Sequence, residues 1–532
     1  MLNRIRRSLP VFASSFVIVA TAAAAAHCGS AGTSSTTSPT SPSTSTTTTT
    51  SYNGLFVPPL LAGTTASGVT TYDLTLAPSS KQLQTGAKTA TYGYNGAEFW
   101  GPTLVLNKGD QARMIVRNSL TEATTTHWHG LLVPGPVDGG PHQLVAANSV
   151  WTTDSFQVKN NASTYWYHPH MHETTQKQLT LGAGGFIIIR DAEEAAFALP
   201  RTYGTDDIPL VLTSRRFTTT GGVANQFQTT TTAYGDYLLT NGVMNAAVTL
   251  PKQFVRLRLL NGEIERDYNV GFSDNRTFYV IGNDGGLLAS PVSVTRLVMA
   301  PGERYEVLVN LGGDAVGSAL DLMAWNGTDQ GLQFGFGGYE PATSGEFGSL
   351  LNQKNFSLLR INVGAATSTG AITTLPTSLA SLAGLSDLTQ ARATVSRTVS
   401  VTGGIPPPFS FDGRVFSASV INQIVALGST EAWTINAGGV FSHSFHIHGV
   451  QFKLIARNGS AAQVKNYEQG WKDTIYMPYR ETATFVARFD ETADSSYPYM
   501  YHCHMSNHED EGLMGQFTVR EPSPGGTVRQ CD

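Results

Sequence analysis

The sequence predicts an all-β protein of three sandwich or barrel domains in tandem. Three observations lead there. Gly (54 residues), Thr and Ser are abundant, and strongly amphipathic stretches of 3.6-residue period are rare. Short apolar runs of β character are separated by Gly, Asn and Asp turns. One pattern of strand, turn and second apolar strand comes three times, in Gly101 to Gly109 with Arg113 to Val116, in Asn241 to Leu260, and in Phe411 to Ile435. Three units of about 130 to 170 residues fit the chain length of 532.

Before the first of these units the sequence has a different character. Arg4, Arg6 and Arg7 precede an Ala-rich apolar run from Val11 to Ala26, too short and small-sided for a comfortable membrane span. Residues 1–27 are therefore read as an export signal, either of ordinary secretory type or, from Arg6-Arg7-Ser8-Leu9, of twin-arginine type. Cys28 reads as a lipid-anchored cysteine or as a plain secreted one paired with Cys531. Both readings put the protein outside the cytoplasm: periplasmic, envelope-anchored or secreted. Residues 28–51, almost wholly Ser, Thr, Pro, Gly and Ala, cannot bury enough apolar surface to offset ordering and read as a tether. Leu199-Pro200-Arg201 and the Ser/Thr/Ala-rich stretch from Ala365 to Ser386 place the domain limits at 52–199, 200–391 and 392–532.

A net charge of −5, with 34 basic against 39 acidic side chains and no long basic run, argues against nucleic acid as a partner. With 41% hydrophobic and only 14% charged residues, the chain has a sizeable core.

The histidines carry the chemistry. Thirteen in 532 residues would give by chance roughly 0.3 pairs of the form His-x-His. The sequence has five such pairs: His127/His129, His168/His170, His170/His172, His446/His448 and His502/His504. None of the histidines lies between His172 and His443, so the middle third has no imidazole to offer. On a strand, residues i and i+2 point to one face, so each pair aims two rings at one place. If the first and last domains meet, eight imidazoles converge there, enough for three metal ions with three, three and two ligands. One or two core histidines need no metal; four pairs in β-like sequence do.

Cys503, between His502 and His504, points to the opposite strand face and can serve a separate site. With His443 and His508 it makes a His₂Cys set, the ligand signature of a blue copper centre. The thiolate is then joined through its own backbone to two ligands of the other site.

His127-Trp-His-Gly130, His168-Pro-His170, His443-Ser-Phe-His-Ile-His-Gly449 and His502-Cys-His-x₃-His508 resemble the four copper motifs of the multicopper oxidases. The likeness extends over about Phe56 to Arg520, including Gly470-Trp-Lys-Asp-Thr474, and is strongest to bacterial laccases and cuprous oxidases. It implies three cupredoxin-like (Greek-key) domains with a metal-free middle one, and four coppers per chain. By position, His127 and His446 would hold the type 2 copper, and His129, His168 and His504 one type 3 copper. His170, His448 and His502 would hold the other, and His443, Cys503 and His508 the type 1 copper. The resemblance implies dioxygen as acceptor, with a small-molecule or metal-ion electron donor entering near His508, expected to be the exposed edge of the type 1 site. Asp138 and Glu509 match acidic residues near the cluster in similar enzymes, and would relay protons if their surroundings raise their pKa. His142 and His172 match no ligand position and are read as surface or supporting residues.

Three departures bear on function. Ser444 replaces a usual proline, without loss of a ligand. Leu513 occupies the position of the axial methionine of many bacterial members, with Met514 one step later; a type 1 copper lacking axial sulfur and of raised potential is expected. The region 351–400 has no methionine, and Gly438-Gly-Val-Phe-Ser442 precedes His443, so soft thioether ligands for Cu(I) are missing. A laccase-like oxidase of phenols or aromatic amines is therefore the leading expectation. A metal oxidase of copper tolerance comes second, and a non-catalytic copper-binding protein last.

Overall fold

A computed structural model describes residues 51–229, 234–327, 343–345, 347–404, 408–439 and 441–522. The expected export signal, Cys28, the tether up to residue 50 and Cys531 lie outside the described residues.

Three apolar cores follow one another along the chain. They run from Tyr72 to Ile189, from Ile208 to Val363 and from Val399 to Val519, each between two sheets. Alternation builds them. Along Gln111–Asn118 the side chains of Ala112, Met114 and Val116 point inward while Gln111 and Arg117 face water.

The threefold pattern of the sequence has one pairing scheme in all three units. The leading strands Thr103–Asn107, Ala246–Pro251 and Gln423–Ala426 each pair in parallel with the last strand of their unit, Gly185–Arg190, Asn355–Gly364 and Met514–Arg520. The following strands Gln111–Asn118, Phe254–Asn261 and Thr430–Asn436 each pair in parallel with the first long strand, Val69–Lys81, Asp207–Arg215 and Val395–Gly403. Parallel neighbours reached by long crossovers are costly to reinvent, so the repetition points to one fold used three times.

Unexpectedly, Asn53–Gly54 does not open the first unit. It pairs in parallel with Ala246 and Ala247 of the middle sheet, while Leu60–Leu61 pairs with Thr103 and Leu104. The chain thus crosses the middle unit before it enters the first.

The same scheme places the functional strands. In the first unit His127–His129 lies at the sheet end beside Ser163–His168, and in the third His443–Ile447 lies beside Tyr499–Cys503. The topological counterparts in the middle unit are Tyr268–Phe272 and Ala319–Trp325, which carry no histidine.

Candidate metal centre

Strand pairing sets His168 opposite His127 and His446 opposite His502. The first and last units then meet ring to ring. His127 stacks on His448 at 3.8 Å between centroids and His129 on His446 at 3.7 Å, both nearly parallel. All eight rings are buried.

Their orientation follows from what each outer nitrogen bonds. The Nδ1–H groups of His127, His446, His168 and His502 donate to the carbonyls of Asp138, Asp473, Pro169 and Cys503 at 2.8–3.0 Å. His448 Nδ1 donates to Asp138 Oδ2 at 2.8 Å, and His170 Nδ1 lies 3.2 Å from Glu509 Oε1. With Nδ1 engaged, Nε2 is the free lone pair and faces inward. The Nε2 atoms of His170, His448 and His502 stand 3.0, 3.1 and 3.3 Å apart. A point about 2 Å from all three exists, the length of a metal–imidazole bond.

Among the described atoms, His127 Nε2, His446 Nε2 and both ring nitrogens of His504 are buried without a hydrogen-bond partner. Orphaned polar atoms at this density are costly unless something binds them. Burial, reinforced by the neighbouring rings, pushes His129, His168, His446, His448 and His504 well below the ordinary imidazole range. Burial does the same to His170 against the pull of Glu509. Such rings are neutral and ready as ligands, so the residues present fit a group of metal ions.

The second set is also complete. Cys503 Sγ lies 3.6 Å from His443 Nδ1 and from His508 Nδ1. Burial pushes the thiol up to about 12, so a thiolate there needs a cation beside it. Leu513 is fully buried in the same apolar core as Cys503, and its carbonyl accepts the Cys503 N–H. Met514 pairs with His502 in unbroken register and stays outside that core. No bulge brings its sulfur round.

Two expectations are corrected. His508 is not an exposed edge: it is buried, with the Phe409 ring 4.1 Å away, Phe441 at 5.3 Å, and Glu265 Oε1 3.7 Å from its Nε2. The Glu265 loop belongs to the middle unit, a cover that spacing in the third could not announce. The surroundings of Glu509 do not raise its carboxyl either. Burial works upward, but the facing His170 and His502 imidazoles, aided by the Thr175 hydroxyl, hold it below the ordinary carboxylate range. Neither acid is a solvated surface group, since Asp138 and Glu509 are both buried against ligand rings. His142 Nε2–H donates to Gln516 Oε1, His172 lies against Phe416, and neither joins the cluster.

Side chains that sequence reasoning missed complete the surroundings. Asp473 Oδ1 is 3.2 Å from His129 Nε2 and is gripped by Arg304. Ser444 donates to the Pro301 carbonyl of the middle unit at 2.5 Å, so the departure from proline adds an interdomain bond. Asp473 lies in a stretch already matched to the family but without a role. Arg304 and Glu265 come from the histidine-free third and gave no signal.

Comparison with known proteins agrees with this geometry. Multicopper oxidase family models match residues 76–194 and 387–523. A multicopper oxidase of Staphylococcus haemolyticus is 31% identical over 433 residues, 81% of this chain and 84% of its own. A cell division protein FtsP of Xenorhabdus nematophila is 30% identical over 441 residues, covering 81% and 85%. Among solved structures, a laccase-like multicopper oxidase CueO of a lignin-degrading Ochrobactrum sp. superposes with a TM-score of 0.76 at 32% identity, covering 87% of this chain and all of that one. A multicopper oxidase of Pediococcus acidilactici gives 0.77 at 30%, covering 91% and 94%. These neighbours share the three cupredoxin-like domains found here. The chain belongs to the multicopper oxidase family.

Proposed function

We propose that the chain is a laccase-like oxidase that withdraws single electrons from a small phenol, aromatic amine or similar donor and passes four of them to dioxygen. The observation that carries this reading is the pair of complete donor sets joined by one residue. Cys503 lies between His443 and His508 on one side; on the other, its peptide neighbour His502 groups with His170 and His448, and His504 lies ring to ring with His129 and His168. Four coppers would be held: one by His443, Cys503 and His508, one by His127 and His446, and a pair by His129, His168, His504 and His170, His448, His502. Bound there, copper would supply one-electron acceptance at the Cys503 site and dioxygen reduction at the histidine site.

The chain's own residues do the rest. The backbone on either side of Cys503 gives electrons a covalent route into the cluster. The bond from Asp138 to His448 fixes that ring with Nε2 inward, and Glu509 faces the Nδ1 atoms of His170 and His502. Of these two carboxylates we take Asp138 as the proton relay, while Glu509, held ionised by the rings it faces, orients them. Phe409, Phe441 and Glu265 narrow the approach to His508, which favours compact donors. A metal oxidase of copper tolerance remains second, since residues 351–400 contain no methionine and Gly438-Gly-Val-Phe-Ser442 offers none before His443. The full set of eleven ligand side chains speaks against a non-catalytic role. The protein acts outside the cytoplasm in this reading.

Copper content and visible absorption of the purified protein, then oxygen uptake with a single-ring phenol and with Cu(I), test the proposal. Four coppers, a blue band and rapid uptake with the phenol are expected. Uptake with Cu(I) alone transfers the assignment to metal oxidation, and a copper-loaded protein without the blue band refutes the Cys503 site.

A further inference from the structure

We infer that Asp473, clamped by Arg304 of the metal-free middle domain, is a positioning residue that holds His129 in the cluster with the opposite nitrogen inward from its neighbours. The inference rests on the four-copper reading for its metal readout, though its geometry does not.

Five cluster histidines bond Nδ1 to the protein and turn Nε2 inward, His170 turns Nδ1 toward Glu509 Oε1 at 3.2 Å, and His504 engages neither. His129 alone is reversed. Its Nε2 lies 3.2 Å from both Asp473 Oδ1 and Thr474 Oγ1, while its Nδ1 faces His168 Nε2 at 3.4 Å. A carboxylate only accepts, so His129 carries its proton on Nε2 and presents the Nδ1 lone pair.

Asp473 could be taken for a ligand itself, since it falls within reach of His129 and His446. Both its oxygens are committed elsewhere. Arg304 Nη1 donates to Oδ1 and Nη2 to Oδ2, each at 2.6 Å, in a fork that pairs the carboxylate's charge. The Thr474 hydroxyl adds a third bond at 2.8 Å. Asp284, also of the middle domain, receives the backbone N–H groups of Asp473 and Thr474 and the Lys472 ammonium. The segment Lys472–Thr474 is thus fixed by the domain that has no ligands.

Two glycines support the same conclusion. Gly130, which ends the His-Trp-His-Gly run, has φ +85°, and a Cβ there would meet Asp473 Oδ2 at 2.5 Å and Arg304 Nη2 at 2.9 Å. Gly302 has φ +86°, and a Cβ there would meet His504 Cγ at 2.8 Å. The turn from Pro301 to Arg304 therefore walls the His129/His168/His504 half of the cluster. The middle domain is a structural part of the metal centre.

The test is Asp473→Asn beside the wild type. It keeps the size of the side chain but turns an amide N–H₂ toward either Arg304 or His129. Histidine-selective ¹⁵N spectra of the copper-free proteins should show one cluster ring protonated on Nε2 in the wild type, and loss of that signal in D473N. On copper loading, D473N should lose at least one copper per chain while the blue colour of the Cys503 site stays. Arg304→Lys, which keeps the charge but not the fork, should give an intermediate copper content, and it serves if D473N yields no folded protein. An unchanged tautomer, full copper loading in D473N, or equal loss of the blue colour and the cluster copper would each overturn the inference. A wild type that fails to load four coppers would refute the four-copper reading instead, leaving the tautomer result to decide this one.

Discussion

Replacing Phe409 by Ala would uncover His508, and the structure sets both the gain and the cost. Phe409 is 3% exposed and packs on the His508 ring at 4.1 Å and on Phe441 at 5.6 Å. Truncating a buried phenylalanine costs about 3–5 kcal/mol. At the rim of a core the lower figure applies, and about 3 kcal/mol in a unit of this size lowers its melting temperature by about 10 °C. The gain is access. Donors too broad to pass between Phe409, Phe441 and Glu265 should approach His508 once the first is removed. For a two-ring phenol kcat/KM should rise about tenfold, equivalent to about 1.4 kcal/mol of recovered transition-state stabilisation. A single-ring phenol should change little. Oxygen uptake with matched one-ring and two-ring donors, alongside thermal unfolding, reads both effects. If stability falls but the two-ring to one-ring ratio of kcat/KM stays constant, Phe409 is packing alone and donors enter elsewhere.

Three further outcomes follow from the same geometry. Cys503→Ser should give a colourless protein with one copper fewer and oxidase activity reduced at least about a thousandfold, while the cluster copper remains, because a hydroxyl does not replace a thiolate ligand; colour retained would mean another residue supplies the sulfur. Leu513→Met should lower the reduction potential of the blue site with its colour kept, since a thioether would replace a hydrocarbon side chain in the core around Cys503; a titration showing no shift would mean residue 513 does not face the site. Copper-free protein should weaken in acid. Burial lowers the folded-state pKa of His443 from 6.5 to about 4, so below pH 6.5 the unfolded chain binds more protons and stability falls with pH. His443 alone costs about 2 kcal/mol at pH 5. Thermal melts of copper-free and copper-loaded protein at pH 7.5 and 5 measure it, and a copper-free melt no lower at pH 5 contradicts the buried, neutral ring.

The convergence of the His-x-His pairs was legible because its signal is local: i and i+2 on a strand share a face whatever the rest of the chain does. The repeat was legible for the same reason, through Thr103–Asn107 and its two later counterparts. Sequence could not reach whatever depends on a neighbour far along the chain. Glu265 and His508 are 243 positions apart but stand within 3.7 Å, and the cover they form turns an expected exposed edge into a buried one. Asp473 reads as one acid in a matched motif until Arg304, 169 positions earlier, closes on it. The ionisation of Glu509 misled differently. Its burial pointed upward, and only the two imidazoles facing it reverse the direction. Strand-level periodicity carries no information on such opposing contributions.

The division of the histidines between the chain's two ends has a consequence for how the protein is made. His127 to His170 leave the ribosome more than 270 residues before His446, and His502 to His508 follow more than fifty residues later still. No partial product of synthesis can hold the cluster, whatever its own domain has folded into. A chain that stops early, or is clipped near its end by a protease, carries only half-sites whose rings lack the partners they stack on. If the rings hold metal as proposed, the cluster can be filled only after both histidine-bearing units have been made and have met.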